Sequence, residues 1–214
     1  MDIADRMRAR RSSPTSADGV RPQPVATRRP IEVPVQPHGL RIKIEPSNDG
    51  KSVVLSLSGV IGNGDAERVR AALGEIRTDY PDATGGAVFL NSPGGSLAEA
   101  AVISSLGASG IPIVVPKNAL CASACFLIFA SAANKFASPA ARIGVHSVVD
   151  GVTGQETDGA KAVTTELARA CSERGVPPSI IGRMVTTPPG QVAWLTEAEL
   201  ISMGVRMIPP KFDD

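Results

Sequence analysis

A serine hydroxyl attacks a carbonyl near neutrality only with a base within hydrogen-bond reach and donors for the oxyanion that forms. Three segments carry residue types suited to those tasks. Asn91-Ser92-Pro93-Gly94-Gly95-Ser96 lies between a predicted strand and a predicted helix. Its paired glycines allow unusual backbone angles and leave no side chain over the amides. Amides at a helix start attract negative charge, so the loop suits a phosphate or an oxyanion. It is neither a Walker P-loop nor a G-x-G-x-x-G fingerprint, and taken alone it also reads as a plain turn. Cys121-Ala122-Ser123-Ala124-Cys125 precedes the apolar run Phe126-Leu127-Ile128-Phe129. A Ser among small residues at a strand-to-helix junction has the logic of a nucleophile elbow, although such residues equally suit close helix packing. His146, near the end of an apolar strand, is the only histidine besides His38 in the N-terminal tail. A lone His there also fits a core role, but no other imidazole is placed to serve Ser123.

The elements that must position these groups follow from periodicity. Leu40–Ile44 and Ser52–Val60 alternate as strands, the second with Val53, Leu55 and Leu57 on one face. Gly62-Asn63-Gly64 is a turn, and Asp65 is placed to cap a helix to about Thr78. Ala87–Leu90 and Ile113–Val115 read as buried strands, with a helix from Ser96 to Gly110 between them. Helices are expected from about Ser123 to Ala133, Ala160 to Arg174, and Pro177 to Val185. Arg142–Val149 reads as β. A last helix, Thr196–Met203, carries Thr196 and Glu199 in capping-box spacing. Strands alternating with helices imply an α/β fold with a largely parallel sheet.

Composition narrows the function classes. The chain has 214 residues, 43% hydrophobic and 20% charged, with a net charge of +1. That suits one domain of ordinary size and excludes a globally basic nucleic-acid binder. Aromatics are only 3%, so the core must be aliphatic. Residues 1–39 are rich in Pro and Arg without apolar periodicity, and read as a disordered basic tail preceding a domain over residues 40–210. The start lacks an export-signal pattern and no run is long enough to span a membrane, so a cytoplasmic protein is expected. Three cysteines make no disulfide framework. Cys121 and Cys125, at i and i+4, read as small packing residues; a disulfide needs a departure from plain helix, and two thiols are too few for zinc. Cys171 reads as buried filler. Trp194 reads as a core residue with nothing basic beside it in sequence.

Asn-Ser-Pro-Gly-Gly, a small-residue Ser motif entering a helix, and Pro139-x-x-Arg142-Ile143-x-x-His146 occur here in that order. Together they resemble the proteolytic subunit of Clp protease, within the Clp/crotonase superfamily. The nearer likeness is to a bacterial branch, often periplasmic, with a Cys-x-Ser-Ala-Cys motif and a terminal Trp-Leu-Thr segment, here Trp194-Leu195-Thr196. The resemblance covers about Val53 to Val205. It implies a ββα superhelix and a cofactor-free, metal-free serine endopeptidase. It also implies a homo-oligomer acting on peptide or protein substrates; an ATPase partner is not readable. Ser123 would be the nucleophile and His146 the general base. The amides of Gly94 and Ala124 would hold the oxyanion, with Gly95 shaping the loop.

One part of the pattern is missing. Where the family carries the third triad member as Asp, Pro188 to Trp194 contains no carboxylate. Asp150 ranks first as a substitute because it is near His146 in sequence. Asp158, Glu156, Gln191, a backbone carbonyl, or no third member are the alternatives. Two other readings use the same superfamily fold: an acyl-CoA-processing crotonase relative, or a degenerate assembly or adaptor subunit.

Overall fold

The computed structural model describes residues 39–106, 110–150, 153–188 and 190–209. The tail expected over residues 1–39 lies, apart from Gly39, outside the described residues. The first strands are β1 (Arg41–Pro46) and β2 (Ser52–Ser58), paired antiparallel with Ile44 opposite Leu55. In β2, Val53, Leu55 and Leu57 are buried while the intervening positions are not, as the alternation predicts. Helix α1 (Asp65–Asp79) crosses to β3 (Gly85–Asn91), which runs parallel to β2. Helix α2 (Leu97–Leu106) crosses to β4 (Ile113–Val115), parallel to β3.

From β4 onward the chain alternates between two sheets. It passes through β5 (Leu120–Ala122), α3 (Ala124–Ser131), β6 (Lys135–Ala137) and β7 (Arg142–Val145). Helices α4 (Asp158–Glu173) and α5 (Pro178–Thr186) follow, then β8 (Ala193–Trp194), α6 (Glu197–Ser202) and β9 (Val205–Met207). One sheet has the order β1-β2-β3-β4-β6-β9 and the other β5-β7-β8. Thus β4 and β5, β6 and β7, and β8 and β9 each give one strand to each sheet. Pairing is parallel except for β1–β2 and β7–β8. The fold is mixed α/β with a largely parallel sheet, as expected from the sequence.

Helix α3 anchors the core. Every residue from Ala124 to Ala130 is buried, which matches its lack of a polar face. Phe126 and Phe129 supply its bulk, packed with aliphatic residues such as Leu55, Leu90, Val115 and Ile143. Helix α4 is amphipathic and buries Ala160, Thr164, Leu167, Ala168 and Cys171 along one stripe. Burial also pushes the Cys171 thiol up to about 11. In α6 the expected capping box is formed: Thr196 Oγ1 accepts from Glu199 N–H, and Glu199 Oε2 accepts from Thr196 N–H.

Several expectations are corrected. Asp65 is not the cap of α1: Gly64 occupies that position, and Asp65 is the first helical residue. Its buried carboxylate turns back instead, accepting from Leu40 N–H at 2.9 Å and Gly62 N–H at 2.7 Å. The helix expected from about Ser123 to Ala133 has Ser123 as its N-cap and ends at Ser131, and an additional strand, β5, precedes it. Strand β7 ends at Val145, short of Val149. Trp194 is half-buried, and the Arg142 guanidinium lies 3.9 Å from its ring centroid, a cation–π contact made by β7–β8 pairing. Among the described residues, no helix is long and apolar enough to cross a membrane.

Candidate active site

Three chain segments meet at the carboxyl ends of adjacent parallel strands. Strand β5 pairs with β7 so that Ala122 lies opposite Gly144. Ser123 therefore leaves the end of β5 beside the strand end that leads into His146. On the other side of β5, Ser92 bridges Cys121, which brings the Asn91–Gly95 loop alongside. The bridge is held by Ser92 N–H donating to Leu120 O at 2.6 Å and Ala122 N–H donating to Ser92 O at 3.1 Å. Asn91 contributes its side chain, whose Oδ1 accepts from Leu120 N–H at 3.0 Å. Open α/β sheets present their ligand sites at such carboxyl edges.

Ser123 occupies the turn between β5 and α3 with φ 56° and ψ −126°. That conformation is rare for a residue with a side chain and costs about 1–3 kcal/mol. It persists because its surroundings over-determine it. Ala122 is tied to Ser92, and Ser123 O accepts from Phe126 N–H at 2.9 Å as the helix begins. Cys121 and Cys125 form a disulfide across the turn, with Cα atoms 5.2 Å apart. The plain-packing reading of these two cysteines is thus corrected: both are fully buried, but they are bonded, because Cys121 is in a strand rather than on the helix. Ser123 itself is only half-buried among buried neighbours.

Gly94 faces this turn directly. A Cβ placed there would lie 2.7 Å from Ser123 Cβ, 2.8 Å from Ala122 O and 2.9 Å from Ala124 N. With φ at +107°, the position demands glycine on both counts. Gly94 O accepts from Ile61 N–H at 2.8 Å, and Gly94 N–H donates to Ser92 Oγ at 3.1 Å. Among the described residues, the N–H groups of Gly95 and Ala124 donate no hydrogen bond. Gly95 is exposed, and a Cβ on it would lie 2.2 Å from Ile61 O.

His146 follows β7 and is half-buried. Its Nδ1 lies 2.6 Å from Ser147 O. A carbonyl only accepts, so Nδ1 is the donor in this contact, which in the neutral ring leaves Nε2 as the acceptor. The Ser147 peptide is held in turn: its N–H donates to Thr187 O at 3.0 Å, beyond α5, and Val148 N–H donates to Thr164 Oγ1 at 2.9 Å, on α4. Ser123 Oγ and the imidazole are not hydrogen-bonded to each other.

The candidates for a third member are placed as follows. Asp150 Oδ1 accepts from Thr153 N–H at 2.8 Å and Thr153 Oγ1–H at 3.0 Å. Asp158 is exposed at the start of α4 and pairs loosely with Lys161 at 3.5 Å. Glu156 and Gln191 are exposed. The group on the imidazole Nδ1 is a main-chain carbonyl. A groove of about 550 Å³ lined by Leu73, Ile76, Tyr80, Val88 and Pro112 contains none of these residues. The site is marked by backbone strain and convergence, not by cavity size.

No family model and no curated protein matches the sequence. Solved structures do. ClpP1 from Listeria monocytogenes is similar at 21% identity and a TM-score of 0.57, over 76% of this chain and 95% of that one. A point mutant of ClpP1 from the same organism matches with the same identity and score, over 77% of this chain and 95% of its own. The chain therefore has a ClpP-like fold.

Proposed function

We propose that this protein is a Clp-type serine peptidase, built as a homo-oligomer and needing no cofactor to cleave peptide bonds. Cys121–Cys125 and Trp194-Leu195-Thr196 align it with the Cys-x-Ser-Ala-Cys branch. The observation that carries the reading is the strained Ser123, held at a strand-to-helix turn between the Gly94 loop and the strand end bearing His146. A serine kept in a costly conformation at the carboxyl edge of a sheet has the geometry of an exposed nucleophile.

In this mechanism Ser123 Oγ attacks the scissile carbonyl while His146 Nε2 takes its proton. The imidazolium then returns the proton to the leaving amine, and water repeats the cycle on the acyl-enzyme. Ala124 N–H and the Gly94–Gly95 loop stabilise the oxyanion. Gly94 N–H must first be released from Ser92 Oγ, whereas Gly95 N–H is already unengaged. Ser147 O orients the ring in place of Asp150 or another carboxylate. The Ser–His hydrogen bond closes when substrate binds, as catalytic hydrogen bonds in unliganded enzymes commonly do.

The test is a fluorophosphonate probe followed by peptide mapping. A single adduct on Ser123 is expected, absent from Ser123→Ala. Equal labelling of both proteins removes Ser123 as the nucleophile. A folded oligomer with no adduct at all favours a degenerate assembly subunit.

A further inference from the structure

We infer that the Cys121–Cys125 disulfide is a positioning device for Ser123, and that its reduction switches the nucleophile off. The inference rests on the serine-peptidase reading and extends it to regulation. The crosslink joins the residue two before Ser123 to the residue two after it. One sulfur belongs to β5 and the other to the first turn of α3, so the bond spans the junction where Ser123 takes φ 56° and ψ −126°.

The same five residues also carry the oxyanion donor Ala124 N–H and the Ala122 N–H that ties β5 to Ser92. Shifting the turn therefore moves the nucleophile and the donor together. A misplacement of about 1 Å in such a constellation costs around 10²-fold in rate. With the crosslink cut, Ser123 is free to relax toward ordinary backbone angles, because a strained conformation survives only while its surroundings over-determine it. Both cysteines are completely buried, so the bond opens only when the turn itself opens.

The redox step balances with a dithiol as reductant. Its thiolate attacks one protein sulfur, the S–S bond breaks, and a mixed disulfide forms. The second thiol of the reductant then displaces the other end. The protein gains two electrons and two protons as Cys121–SH and Cys125–SH, and the reductant leaves as a cyclic disulfide. A small-molecule disulfide such as oxidised glutathione reverses the step. Activity would thus be retained in an oxidising compartment and fall in one whose glutathione keeps thiols reduced.

The experiment measures the second-order rate of fluorophosphonate labelling on full-length protein, before and after dithiothreitol, and again after reoxidation. Redox state is counted by alkylation under denaturing quench: one adduct for the oxidised form, from Cys171, and three for the reduced form. Reduction is expected to slow labelling of Ser123 by about 10–100-fold, with circular dichroism preserved and the rate restored on reoxidation. Cys121→Ala/Cys125→Ala is expected to label at the slow rate with or without dithiothreitol.

Fully reduced wild type labelling as fast as oxidised wild type overturns the inference while leaving Ser123 as the nucleophile. So does a double variant with the fast rate. A lower melting temperature with an unchanged rate per folded molecule assigns the bond a purely structural role and also overturns it. If the oxidised protein does not label at Ser123, the peptidase reading fails and this inference falls with it.

Discussion

Ser123→Ala, His146→Ala and the double variant are expected to hydrolyse fluorescent casein and short peptides at nearly the same residual rate, about 10²–10⁴-fold below wild type. The near-equality follows from the proposal that the two residues act as one unit. Without the imidazole, the hydroxyl keeps its proton and is a poor nucleophile. Without the hydroxyl, the imidazole has nothing to activate. The expected loss is smaller than in a full triad because a carbonyl in place of the carboxylate is expected to lower the wild-type baseline. Ser147 O fixes the tautomer of His146, but a neutral carbonyl stabilises the imidazolium less than a carboxylate would. Losses that multiply in the double variant, or a His146→Ala enzyme within twofold of wild type, contradict the assignment of His146 as the base.

Gly94→Ala is expected to reduce turnover by about 10²–10³-fold, the scale of losing an oxyanion donor. The added methyl would meet Ser123 Cβ at 2.7 Å and Ala124 N at 2.9 Å. Neither neighbour has room to yield: Ser123 already holds a strained turn, and Ala124 begins a helix buried on every side. Positive φ at Gly94 adds backbone strain to the clash. The loop then moves away from the turn and opens the cradle, while the sheets remain paired through contacts elsewhere. Circular dichroism and the melting temperature establish that the fold is intact, and the rate is then read on folded protein. A Gly94→Ala enzyme turning over within threefold of wild type contradicts the proposed part of this loop in holding the oxyanion.

What the sequence made legible depended on the range of the forces involved. Strands β2, β3 and β4 were readable because apolar alternation or a short apolar run marks a strand locally, although in β3 only Leu90 is fully buried. Strands β5, β6, β8 and β9 have two or three residues each, too few to show a period, and exist because neighbours pair with them. The capping box of α6 was readable because its partners are three residues apart. The role of Asp65 was not, because its carboxylate serves Leu40 N–H, 25 residues away.

The candidate site divides along the same line. Ser123, His146 and the Gly94 loop stood out by residue type and order. Their adjacency comes from the β5–β7 register and the Ser92–Cys121 bridge, which are tertiary facts. The Cys121–Cys125 bond was hidden because i,i+4 spacing reads as helix, and only a strand followed by a sharp turn brings the sulfurs together. Ser147 O was open only as an unspecified carbonyl, since every residue has one and side-chain identity does not mark it.

The most direct measurement of the central claim is a crystal structure of the fluorophosphonate adduct. The account predicts phosphorus bonded to Ser123 Oγ, and a phosphonyl oxygen about 2.7–3.1 Å from Ala124 N and a Gly94–Gly95 amide. It also predicts His146 Nε2 within hydrogen-bond reach of the Ser123 oxygen. An adduct on another residue, or an imidazole on the far side of the sheet from Ser123, would contradict it.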